Sequence, residues 1–118
     1  MARPTGSSGK SAAVNSLDAS MRVAVLHGKD SYLLTEHLKR FRKSLEERFG
    51  RFDEFSFDGT TTSLASLLDE LRSWGLMGGH KLVILESAED FLKGEDRRRA
   101  LERYVEEPMQ DATLLLRS

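Results

Sequence analysis

Apolar and polar positions along this chain switch repeatedly between two periods. A short apolar run, Arg22-Val-Ala-Val-Leu26, ends at His27-Gly28 and predicts a buried strand. Asp30 follows at a helix start, where its carboxylate accepts bonds from free backbone N–H groups. Leu34, Leu38, Phe41, Leu45 and Phe49 then recur every three or four residues, which is one apolar face of a helix stopped by Gly50. Phe52–Phe57 alternates and predicts a second strand, closed by the turn Asp58-Gly59. Thr61 or Thr62 caps a second helix with the face Leu64, Leu67, Leu68, Leu71 and Trp74, broken by Gly75, Gly78 and Gly79. Lys81-Leu-Val-Ile-Leu85 predicts a third strand. A third helix falls within Glu89–Glu107, with Ala100, Leu101, Tyr104 and Val105 on its inner face, Gly94 as a break and Pro108 as its stop. Ala112-Thr-Leu-Leu-Leu116 predicts a fourth strand.

Apolar strands alternating with amphipathic helices imply an α/β fold: a parallel sheet of about four strands with helices on both faces. The domain spans residues 21–118. Residues 1–20 are small and polar, carry no periodic face, and read as a disordered tail. The chain stops two residues after a buried strand, which reads as the N-terminal fragment of a longer protein.

Composition narrows the function. The 118 residues include 18 basic and 19 acidic ones and no cysteine. Thiol nucleophiles, disulfides and Cys-type zinc sites are therefore excluded. A net charge of −1 argues against a dedicated DNA-binding domain. No apolar run reaches the ~18–20 residues of a membrane span, and no signal peptide is visible.

Ligands of such sheets sit beyond the carboxyl ends of the strands. The first strand leads into only Gly28-Lys29 before the helix cap. A phosphate loop needs a longer glycine-rich stretch ending in GK[ST], and Asp30 occupies the hydroxyl position. Gly9-Lys10-Ser11 in the tail imitates such a loop, but Pro4 stands where its first glycine belongs. The third strand ends in Glu86-Ser87. Glu86 is a candidate metal ligand, whereas Ser87 lacks the carboxylate an ATPase uses there. His27, His37 and His80 have no ligand spacing and read as loop or surface residues. Lys39-Arg40 with Arg42-Lys43, and Arg97-Arg98-Arg99, lie beside carboxylates and read as solvated helix faces with i,i+4 pairs. None of these supplies a catalytic, cofactor or metal site.

The most informative stretch is Trp74-Gly75-Leu76-Met77-Gly78-Gly79. Two large apolar side chains lie between helix-breaking glycines. They either tuck into the core or project as an apolar wedge for a partner's pocket.

From about Met21 onward the chain resembles the N-terminal domain of the delta subunit of the bacterial DNA polymerase III clamp loader. The likeness runs in order through Val23-Ala-Val-Leu-His-Gly-Lys-Asp-Ser-Tyr-Leu-Leu34, Phe55-Ser-Phe-Asp58, Trp74-Gly-Leu-Met-Gly-Gly-His-Lys-Leu-Val-Ile-Leu85, Tyr104-Val-Glu-Glu-Pro108 and Thr113-Leu-Leu-Leu116. The resemblance implies a truncated AAA+, P-loop-NTPase-like domain that binds no ATP, with sheet order 1-4-3-2 and a fifth strand beyond this chain's end. It implies a cytoplasmic replication protein that binds and helps open the sliding clamp, the beta subunit. The family's Leu-Phe wedge falls on Leu76 and Met77, flanked by Trp74, Gly75 and Gly78. Methionine in place of phenylalanine is a departure that keeps an adaptable apolar side chain and loses the aromatic one. The other clamp-loader subunits would join through C-terminal domains absent here, and DNA would be met indirectly. The parent assembly is a DNA-directed DNA polymerase, but this domain would act as a wedge and not as a catalyst. The alternatives are a nucleotide-binding P-loop-type ATPase domain and a DNA-contacting replication domain.

Overall fold

The computed structural model describes residues 17–73 and 79–118. Among these described residues, four strands and four helices follow one another: β1 (Val23–Leu26), α1 (Ser31–Phe49), β2 (Phe52–Asp58), α2 (Leu64–Arg72), β3 (His80–Glu86), α3 (Ala88–Phe91), α4 (Glu95–Glu106) and β4 (Ala112–Arg117). The strands form one sheet in the order β1-β4-β3-β2. Every pairing is parallel, with Val25 opposite Leu116, Val83 opposite Leu114 and Phe55 opposite Val83.

The two periods explain the layering. Successive strand residues point to opposite faces, so β3 divides its apolar run between two cores. Leu82 and Ile84 join Ala24, Leu26 and Leu115 beneath the α1 face of Leu34, Leu38, Phe41 and Leu45. Val83 and Leu85 join Ala112 and Leu114 beneath Leu67 and Leu71 of α2, Ala88 and Phe91 of α3, and Leu101 and Tyr104 of α4. Each fully buried leucine or phenylalanine contributes about 1.5–3 kcal/mol of transfer free energy, which makes the β3 and β4 interior the main source of stability.

Asp30 caps α1 as its position suggests, its carboxylate accepting from the amides of Tyr32 and Leu33. Gly50 ends the helix at φ 77, a conformation that suits glycine. Several expectations change. The cap of α2 is Ser63, not Thr61 or Thr62. Thr60 and both of those threonines are already drawn into the turn on Asp58, whose carbonyl takes the amides of Thr61 and Thr62. The third helix, by contrast, breaks at Gly94 as expected, giving two helices with Gly94 at the N-cap of the second. Val105 is exposed and not on the inner face, because Leu101 and Tyr104 set the buried stripe of α4. At the amino end of the described chain, Leu17 and Ala19 pack against the α1 core.

Candidate partner-binding site

A parallel sheet has two chemically different ends. The carboxyl ends of β1, β3 and β4 surround a cavity of about 240 Å³ lined by Gly28, Leu34, Glu86, Ser87, Glu89, Arg117 and Ser118. This is where a doubly wound fold holds a nucleotide. Here the helix amides that would meet a phosphate are taken by the Asp30 carboxylate, at 3.0 and 3.2 Å. Glu86, considered above as a metal ligand, instead accepts from Arg117 at 3.2 Å. Ser87 adopts a left-handed conformation at φ 51 as β3 turns into α3. Among the described residues no cluster of three or more metal-ligating side chains occurs.

The first residues of β3 mark the other end. Trp74, Gly75, Leu76, Met77 and Gly78 lie outside the described residues. Lys81 is 1% exposed although it stands in a strand that is otherwise apolar from Leu82 to Leu85. Its ammonium reaches back to the end of α2 and donates to the Glu70 carbonyl at 2.7 Å, the Ser73 carbonyl at 2.8 Å, Ser73 Oγ at 2.9 Å and Glu70 Oε2 at 3.0 Å. The orphan carbonyls of a helix end thereby receive a cation, which the helix dipole favours there. The Phe55 ring lies 5.7 Å from the same ammonium.

His80, one residue earlier, is buried and not a surface histidine. Its ring stacks on Phe49, and its Nε2 lies 2.7 Å from Thr113 Oγ1 and 3.2 Å from an Arg22 nitrogen. Arginine has only donors, so Nε2 accepts and the proton sits on Nδ1. Burial first, and the Arg22 charge second, push the His80 pKa down to about 4. The Arg22 guanidinium also lies 4.8 Å over the Phe49 ring and donates to the Ala19 carbonyl.

The basic clusters are partly structural. Arg42 forms a two-pronged pair with Glu54 at 2.8 and 2.7 Å, across elements and not along its own helix. Arg99 makes the expected i,i+4 pair with Glu95. Arg97 turns inward, donating from Nε to the Phe91 carbonyl at 2.7 Å and lying over the Phe91 ring.

Sequence reasoning overlooked the role of Lys81 and read His80 as a loop or surface residue. A charge heading an apolar strand was a usable signal for the first. The second gave none, because its partners Phe49 and Thr113 are remote in sequence.

Comparison with known proteins places these observations in a family. The family described as DNA polymerase III, delta subunit, matches residues 25–118. Among solved structures, the Bacillus subtilis DNA clamp loader delta protein (YqeN) superposes with a TM-score of 0.64 at 28% sequence identity. The match covers 82% of this chain and 31% of that protein, so the chain spans about a third of its length. No curated protein sequence matches the chain. On the match over residues 25–118, with its sheet order and a solved delta protein of the same fold, this chain belongs to the DNA polymerase III delta-subunit family of the clamp loader.

Proposed function

We propose that this domain binds the sliding clamp through Leu76 and Met77, with Trp74, Gly75 and Gly78 beside them, and helps open it without hydrolysing ATP. The observation that carries the reading is membership of the delta-subunit family over residues 25–118, which include this segment. The Lys81 tie supports it, because it anchors the last described residue before the segment to the strand after it. Two apolar side chains suit a hydrophobic pocket, since burying each contributes about 1.5–3 kcal/mol. Ring opening would follow from better contact with the open or distorted clamp than with the closed one.

The carboxyl-end cavity supports the absence of ATPase work. Glu86 and Glu89 line it beside Arg117, and the Asp30 carboxylate already occupies the amides of Tyr32 and Leu33. Work driven by ATP would fall to other subunits, joined through parts of the protein outside this chain, in the cytoplasm. No helix among the described residues is long and apolar enough to cross a membrane.

Gel filtration of the chain mixed with the sliding clamp of the same organism tests the proposal. Co-elution is expected for the wild-type chain and not for Leu76→Ala/Met77→Ala. Equal co-elution of both would remove those residues from the interface.

A further inference from the structure

The basic run on α1 does not behave as one solvated face. Arg42 is taken by Glu54, and Lys39 lies 4.0 Å from Glu36. Glu36 also stands four residues before Arg40, a spacing that suits an ion pair within a helix. Among the described residues Arg40 makes no such pair and lines a cavity instead. That cavity measures about 180 Å³ and is bounded by Leu17, His37, Arg40, Phe41 and Ser44. His37, Arg40 and Ser44 follow one another by three and four residues along α1, so the helix brings them to one face. Phe41, 1% exposed, and Leu17 supply the apolar walls. The Leu17 wall belongs to the segment before β1. That segment is held by the Met21 amide, which donates to the Asp18 carbonyl at 2.9 Å, and by Arg22, which donates to the Ala19 carbonyl and lies over the Phe49 ring. The site is therefore a recess between two parts of the chain and not a convex helix surface.

Its chemistry is one-sided. A guanidinium carries only donors, a hydroxyl can donate, and a neutral imidazole donates from one nitrogen. No carboxylate lines the recess. The side-chain hydrogen bonds of α1 and its cap, among the described residues, involve Asp30 and Arg42, which leaves the donors of His37, Arg40 and Ser44 open. The cavity at the carboxyl ends of the strands has the opposite character, with Glu86 and Glu89 beside Arg117. Three donor groups around one recess match the oxygens of a tetrahedral phosphate, to which arginine can make two parallel bonds.

We propose that the recess between α1 and the segment before β1 is a phosphate-binding site, with Arg40 as the two-pronged contact and His37 and Ser44 as flanking donors. The ligand is a phosphate group, carried by the free ion or by a nucleic-acid phosphodiester. The site stands apart from the clamp-binding reading and does not depend on it.

The test follows the NMR resonances of the chain in two titrations at constant ionic strength. One replaces chloride by inorganic phosphate, and the other adds a short single-stranded oligodeoxynucleotide. Saturable shifts are expected at His37, Arg40 and Ser44, with Gly28 and Ser87 of the other cavity unmoved. Arg40→Gln should weaken binding by roughly tenfold, because bonds to a charged group are lost, and Arg40→Lys should recover part of it. Arg40 is exposed, so these variants leave the core intact. Lys43→Gln is the control, since Lys43 is an exposed cation of the same helix outside the recess. Saturation by the oligonucleotide at a phosphate concentration roughly tenfold below that of the free ion identifies a phosphodiester ligand. Saturation by the free ion alone, or by both at equal concentration, identifies phosphate itself. Shifts with neither probe overturn the proposal. A loss in Lys43→Gln as large as in Arg40→Gln also overturns it, because charge attraction without a site would then account for the binding.

Discussion

The imidazole of His80 lies flat on the ring of Phe49, with centroids 3.8 Å apart and planes 3° from parallel. The contact joins the end of α1 to the start of β3, directly after the segment assigned to partner binding. The neighbouring bond, which Arg22 donates to Nε2 of the same ring, requires a neutral histidine.

That arrangement predicts an acid-sensitive fold. The His80 pKa is lowered from 6.5 to about 4, so between those values the unfolded chain binds a proton that the folded chain refuses. The contribution of the neutral ring is fully present above pH 6.5 and is lost as the pH falls toward 4, by up to about 3 kcal/mol. Carboxylate protonation adds its own loss at the acid end. The difference in urea midpoint between wild type and His80→Gln should therefore change between pH 7 and pH 4.5, and a pH-independent difference would contradict the assignment.

Gly59 packs against the carboxyl end of β3, its amide donating to the Glu86 carbonyl at 2.7 Å. A Cβ at this position would come within 2.6 Å of that carbonyl oxygen and would collide with the Ser87 carbonyl. Neither neighbour is a movable side chain. Gly59→Ala should destabilise the chain by about 1–3 kcal/mol, lowering the thermal midpoint. Gly50→Ala provides a contrast: nothing lies near its added methyl, and the cost there arises from the positive φ alone.

Asp30 caps α1 and also occupies the amides that a phosphate would use. Asp30→Ala should cost about 1 kcal/mol in stability. Wild-type chain should show no heat of binding with ATP and Mg²⁺ at millimolar concentration. Saturable binding would favour the nucleotide-binding alternative.

The sheet was readable because its strands are nearly continuous apolar runs, Val23–Leu26, Leu82–Leu85 and Ala112–Leu116, separated by amphipathic helices. What escaped the reading was decided by competition between neighbours or by distance. Thr61 and Thr62 were the expected caps of α2, but the Asp58 turn claims both and Ser63 takes the position. Val105 lies four residues after the buried Leu101, yet the stripe through Leu101 and Tyr104 leaves it outside. Lys81 and His80 take their roles from Glu70, Ser73, Phe49 and Thr113, which no local period links to them. Leu76 and Met77, the proposed wedge, stood out by composition alone, as large apolar side chains between glycines.

The most direct measurement is a calorimetric titration of the chain with the sliding clamp of the same organism, beside Leu76→Ala/Met77→Ala. Removing both anchors should cost about 3–5 kcal/mol, a loss of a few hundredfold or more in affinity, with the circular dichroism spectrum unchanged. A folded double variant that binds the clamp as tightly as the wild-type chain would contradict the assignment of the wedge.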